Sequence, residues 1–142
     1  MVTSVYAKDK QILERVQHRF TRMLPKLKKL DYSDRLEELK LWTLEERRNR
    51  ADLIEVFKIY RGISKIPFES IFEARAQIAT RGHNLRIAKH RCNKDLRNHF
   101  FSEKVINRWN KLTSCCIEVL TVNAFKNNLQ RLKKVKMGFF MD

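Results

Sequence analysis

The chain has 142 residues and carries 31 Lys and Arg against 16 Asp and Glu, a formal net charge of +15. A hydrophobic content of 43% is too high for a disordered chain, and a charged content of 33% is too high for a membrane protein. The length corresponds to one domain with at most an appendage, and charged residues within 1–10 leave no apolar core for a signal peptide, so we expect a soluble intracellular protein, nuclear or cytoplasmic, with no membrane partner.

A helix is predicted first, over residues 8–24, from the spacing of apolar side chains. Ile12, Val16 and Phe20 recur every four positions, which is the period of one helix face. Pro25 ends or kinks this helix, because its ring excludes the preceding turn.

Capping residues predict two further helices. Asp31 opens a short helix, with Asp34 three residues on as its capping partner. Thr43 and Glu46 form a clearer capping box before a longer helix, which ends at Gly62, a residue suited to a left-handed terminal conformation.

The second half of the chain contains a weak strand signal between helical segments. Residues 85–88 alternate apolar and polar, and residues 95–101 could pair with them. Ser102 is predicted to cap the next helix, and Thr121 the last one. The sequence therefore predicts a mainly α fold, a small helical domain with at most one short β-hairpin.

Positive charge is concentrated in the second half of the chain. Residues 1–78 contain 17 Lys and Arg and 12 acids, whereas residues 79–142 contain 14 Lys and Arg and four acids. Such a one-sided surplus favours a polyanionic partner over charge that serves solubility alone. In residues 81–110 cations are interleaved with His and aromatic side chains, which either stack on unpaired bases or fill the core; for Trp109 the core is favoured.

Catalytic and metal-binding patterns are weak. The carboxylates are spaced as helix-surface partners of bases and do not converge as Mg²⁺ ligands do. His83, His90, Cys92 and His99 match no zinc spacing, so isolated histidines in a region facing nucleic acid are favoured. The adjacent cysteines 115 and 116 are interpreted as small buried apolar groups. We therefore expect no catalysis, no metal and no cofactor.

The candidate nucleic-acid-binding residues are cations that crowd the first turns of the third helix, that lie in the basic second half away from acids, or that project from the last helix. They are Arg47, Arg48, Arg81, Arg86, Lys89, Arg91, Arg97, Arg108, Lys133 and Lys134.

Several short motifs, in this order, resemble the region at and beyond the end of the thumb in reverse transcriptases of LINE-type (non-LTR) retrotransposons. They are residues 13–22 (LERVQHRFTR), 32–36 (YSDRL), 44–48 (LEERR), 52–59 (DLIEVFKI), 80–83 (TRGH), 100–102 (FFS), 107–112 (NRWNKL) and 122–127 (VNAFKN). Each motif is short, but their common order over residues 5–132 is specific.

The resemblance implies a part of an RNA-directed DNA polymerase that grips the primer–template or the element RNA, while a palm absent from this chain carries the catalytic aspartates. It divides the chain into a truncated thumb end (1–30), a post-thumb domain (31–136) and a tail (137–142), which suggests a fragment of a transposable element. The alternatives are a helical protein-interaction module or a decayed fragment without activity. Helix 8–24, without its thumb neighbours, could self-associate or bind a protein.

Overall fold

The chain is mainly α-helical, as the sequence predicts. The computed structural model describes residues 7–75, 83–91, 93–94 and 100–141. Within these ranges the helices are α1 (Ala7–Arg22), α2 (Tyr32–Glu38), α3 (Leu44–Tyr60), a 3₁₀ turn (Phe68–Ser70), α4 (Phe101–Asn110), α5 (Ser114–Ile117) and α6 (Val122–Val135). No helix in the described ranges is long and apolar enough to cross a membrane.

Polar contacts dock α1 on the start of α3. Glu14 accepts a hydrogen bond from the Tyr32 hydroxyl through one carboxylate oxygen and from the Leu44 backbone amide, at 3.0 Å, through the other. Buried Gln17 donates to the Trp42 carbonyl oxygen at 3.0 Å. Burial, and then the bond to Glu14, raise the pKa of Tyr32 to about 12. The hydroxyl therefore stays a donor at neutral pH.

Local capping fixes both ends of α3. The Glu46 amide donates to the Thr43 hydroxyl and the Thr43 amide donates to the Glu46 carboxylate, both at 3.2 Å, which confirms the capping box. Gly62 has φ +70°, so the prediction of a left-handed residue there is also confirmed. Asp31 does precede α2, but its side chain makes no capping bond, so its predicted pairing with Asp34 is wrong.

The core lies where α3, α4 and α6 meet. The Phe57 and Phe125 rings stack at 4.4 Å between centroids, and Trp109 packs beside Phe125. These three side chains are almost completely buried, which confirms Trp109 as a core residue. The core thus joins α3, from the first half of the chain, to α4 and α6, from the second half.

Phe140 belongs to this core, although the sequence analysis separates residues 137–142 as a tail. Its ring lies 4.9 Å from that of Trp42, and its backbone oxygen accepts a hydrogen bond of 2.6 Å from the buried Asn49 amide. Phe139 and Phe140 therefore pack on the helical domain, whereas Met137 and Met141 are exposed.

Candidate nucleic-acid interface

An isolated antiparallel bridge joins Ala74 to Ile87. The Arg75 amide donates to the Arg86 oxygen at 2.9 Å, and the Ala88 amide donates to the Glu73 oxygen at 2.7 Å. Residues 73–75 therefore pair with residues 86–88, a role that the sequence analysis assigns to residues 95–101. Of that predicted partner, residues 95–99 lie outside the described ranges, Phe100 is exposed and Phe101 begins α4.

The C-terminal end of α4 holds the segment around Ile87 in place. The Asn110 amide accepts from the Ile87 N–H and donates to the Ile87 carbonyl oxygen, both at 2.9 Å. One side chain thus replaces a neighbouring strand. The Trp109 indole donates to the Leu85 oxygen at 2.9 Å, which anchors a second point of the same segment.

His83 is a buried anchor of this segment. Its Nε2 lies 3.0 Å from the Trp109 carbonyl oxygen, and its Nδ1 accepts from the Leu85 amide at 3.2 Å. These partners require a neutral ring that carries its proton on Nε2. Burial lowers the pKa of His83 below its ordinary value of 6.5, and nearby Arg86 acts in the same direction. The interpretation of this histidine as one that faces nucleic acid is therefore wrong.

Cations project from this anchored segment and from the strand-like residues paired with it. Arg75, Lys89 and Arg91 are exposed. Arg86 is half-buried and lies opposite Arg75 across the bridge. We call these four residues the basic bridge surface. The carboxylate nearest to them in the pairing, Glu73, lies 2.8 Å from Nε2 of His90.

Arg75 is the member of this surface that the sequence analysis missed. It lies in the balanced first half of the chain, and only the bridge brings it beside Arg86. No sequence signal could have paired them, because residues 73–75 show no strand alternation of their own.

Two predicted binding residues have partners within the chain. Arg108 donates through Nε to the Phe139 oxygen at 3.0 Å. Lys133 lies 2.8 Å from the Glu46 carboxylate and 4.4 Å from the centre of the Trp42 ring. Their charges therefore stabilise the fold, and we leave both out of the basic bridge surface.

The remaining predicted residues are scattered. Arg47 and Arg48 line an open groove beside α1, and Lys134 is exposed on α6. Arg81 and Arg97 lie outside the described residues. Of the predicted cations in the part of the chain that the structure describes, Arg86, Lys89 and Arg91 thus share one anchored segment, and Arg47 and Arg48 share one groove.

Other chemistry is sparse among the described residues. No group of three or more His, Cys, Asp or Glu side chains there could hold a metal ion. Cys116 is buried, and burial raises the pKa of its thiol to about 11, so it stays protonated. Cys115 is exposed, in contrast to the sequence interpretation of both cysteines as buried.

Comparison with known proteins finds no match for this chain among family models, curated proteins or solved structures. The resemblance to LINE-type reverse transcriptases therefore stays a prediction from the motifs themselves. Function has to be inferred from the surfaces of the molecule.

Proposed function

We propose that this chain binds RNA or DNA through the basic bridge surface and is itself non-catalytic, as the resemblance to the post-thumb region of a LINE-type reverse transcriptase implies. The observation that carries the proposal is that Arg75, Arg86, Lys89 and Arg91 all lie on two paired backbone segments, one of which α4 anchors by side-chain hydrogen bonds. Residues 83–94 contain four cations and no acid, which suits the phosphate backbone.

The anchoring favours binding for an entropic reason. A flexible basic tail must lose conformational freedom when it contacts phosphates, at about 1–2 kcal/mol per ordered residue. The backbone at Leu85 and Ile87 is already tied to Trp109 and Asn110. The folded surface should therefore bind better than an unfolded chain of equal charge.

Salt dependence tests the mechanism. If the protein neutralises about six phosphates, a plot of log K against log salt concentration should have a slope of about −5. We would titrate an RNA–DNA primer–template, duplex DNA and single-stranded RNA with the protein, and repeat the titration with a heat-unfolded sample. Preference for the primer–template by the folded sample alone supports a thumb-like grip. Equal binding by both samples contradicts the proposal.

A charge-matched pair of variants tests the location. We expect the triple variant Arg75→Gln, Lys89→Gln, Arg91→Gln to weaken binding by about tenfold or more near 0.1 M salt and to make the slope shallower by about 2–3. Exposed lysines 26, 28 and 29, which follow α1, provide the control, because changing them to Gln removes the same charge. If both triples weaken binding equally, the effect is one of net charge and the proposed surface is wrong.

Catalysis is tested separately. We expect no cleavage of plasmid DNA in Mg²⁺ or Mn²⁺, since the acids of this chain are spaced for pairing with bases along helices. Cleavage that a chelator abolishes would replace the binding proposal with a nuclease.

A further inference from the structure

A groove of about 510 Å³ opens between α1 and α3. Its aliphatic lining consists of Leu13 from α1 and Leu44, Ala51 and Ile54 from α3. The other residues that line it are Arg47, Arg48 and Arg50, and none of the seven is acidic or aromatic.

The three arginines are short of anionic partners. The guanidinium groups of Arg47 and Arg48 make no hydrogen bond or ion pair with a described residue. Arg50 lies 4.9 Å from the centre of the Trp42 ring, and its buried Nε has no hydrogen-bond partner among the described residues. Burial without a counter-charge also lowers the pKa of Arg50. An anion entering the groove would relieve this cost.

An exposed apolar stripe on α1 continues the groove. Leu13, Val16 and Phe20 follow one another at helical spacing and are 44%, 67% and 60% exposed. The exposed arginines 15, 19 and 22 follow the stripe on its other side. Apolar surface is therefore flanked by cations from both helices.

These features select one kind of occupant. A helix presents a ridge of apolar side chains that fits a groove between two helices, whereas a flat bilayer surface does not enter such a recess. A second copy of this chain would bring arginines against arginines, which costs affinity. Nucleic-acid bases stack on aromatic rings, and no aromatic side chain lines the groove.

We propose that the groove between α1 and α3 binds an amphipathic helix of a protein partner, with aliphatic residues at i, i+3 or i+4, and i+7 and with Asp or Glu beside them. The aliphatic side chains contact Leu13, Ala51 and Ile54. The carboxylates pair with Arg47 and Arg48. This site lies on different residues from the basic bridge surface, so the two binding activities are separable.

The probe for the test is a fluorescent peptide of about 18 residues, with Leu at helical spacing and Glu and Ala elsewhere, and its scrambled isomer of identical charge. We expect the amphipathic peptide to bind, and the scrambled one to bind at least about tenfold more weakly, at about 0.15 M salt. Equal binding of both peptides means non-specific attraction to a cationic protein and overturns the proposal.

A double variant and a single variant, each compared with a control, test where the peptide binds. We expect Arg47→Gln with Arg48→Gln to weaken binding by about tenfold, and Leu13→Ser to weaken it by about fivefold. The controls in and just after α6 are Arg131→Gln with Lys136→Gln, which removes the same charge, and Val135→Ser, which removes an apolar side chain that is even more exposed than Leu13, at 79% against 44%. Equal losses in variants and controls would overturn the location.

Competition distinguishes the other occupants. The peptide should remain bound in the presence of single-stranded RNA and of anionic phospholipid vesicles, and sedimentation should show no dimer that Leu13→Ser dissociates. Displacement by RNA or vesicles, or such a dimer, overturns the proposal in favour of that occupant. The triple variant of the basic bridge surface should keep its affinity for the peptide, so that failure of either proposal leaves the other intact.

Discussion

Asn110→Ala tests whether the anchoring of the basic bridge surface is real, because this change leaves the net charge untouched. It removes both hydrogen bonds to Ile87, each 2.9 Å long. A hydrogen bond contributes about 1 kcal/mol net, and a backbone group left without its partner adds a further cost. The higher helix propensity of Ala returns up to about 0.7 kcal/mol. We expect a net loss of about 2 kcal/mol in the free energy of unfolding.

Urea unfolding measures this loss, and Asn107→Ala is the matched control. Asn107 is exposed on the same helix, so its replacement changes helix propensity by the same amount without touching residue 87. A domain of this size is stable by about 5–15 kcal/mol, so the Asn110 variant should still fold. Hydrogen exchange should also accelerate at the Ile87 amide, where Asn110 is the acceptor.

The functional consequence is the sharper part of the prediction. With Ile87 released, Lys89 and Arg91 should behave as a flexible chain, and affinity for RNA should fall by about threefold to tenfold at constant charge. If Asn110→Ala matches Asn107→Ala in stability and in RNA affinity, then α4 does not organise this surface and the reasoning fails.

Two further predictions concern buried groups. Burial lowers the pKa of His83 below 6.5, so the unfolded state takes up a proton first as the pH falls. The free energy of unfolding should therefore be highest above pH 6.5 and decrease below it. Urea titrations at pH 8 and pH 5 should show a smaller decrease for His83→Gln than for the unchanged protein. Phe140→Ala should lower the free energy of unfolding by about 3–5 kcal/mol, against about 0.5 kcal/mol or less for exposed Met141→Ala; equal small effects would mean that the C-terminal residues do not pack on the core.

The features that could be predicted from the sequence are those with local causes. The capping box at Thr43 and the left-handed turn at Gly62 depend on residues within one helical turn, and both are present. Thr121 also caps the last helix, as its hydroxyl accepts from the Ala124 amide at 3.2 Å. Ser102 shows the limit of this approach: the prediction that it caps the helix is wrong, because α4 begins at Phe101, two residues earlier than a cap there would require.

The bridge could not be predicted, because its determinants are distant in the chain. Ala74 pairs with Ile87, and Ile87 is in turn held by the side chain of Asn110, which lies 23 residues further along the chain. An Asn within a helix normally indicates only an exposed polar position, so the sequence carries no sign of this strand-like contact. Arg75 joins the candidate site for the same reason and escaped the sequence analysis.

A net charge of +15 overstates the charge available to a ligand, because several arginines bind backbone carbonyls of the chain itself. Buried Arg35 donates to the Leu30 oxygen at 2.7 Å, and Arg61 donates to the Val119 oxygen at 2.6 Å. Arg108 does the same at Phe139. These arginines satisfy backbone acceptors in loops, so their replacement should lower the free energy of unfolding.

The cations that remain fall into two chemically different settings. Lys89 and Arg91 are exposed on an anchored, polar segment, a setting that suits hydrated phosphates. Arg47 and Arg48 border aliphatic side chains, a setting that suits carboxylates carried on an apolar helix. Because the neighbours of each cation differ, the same formal charge is expected to select different partners, and a variant that removes one pair should leave the other partner bound.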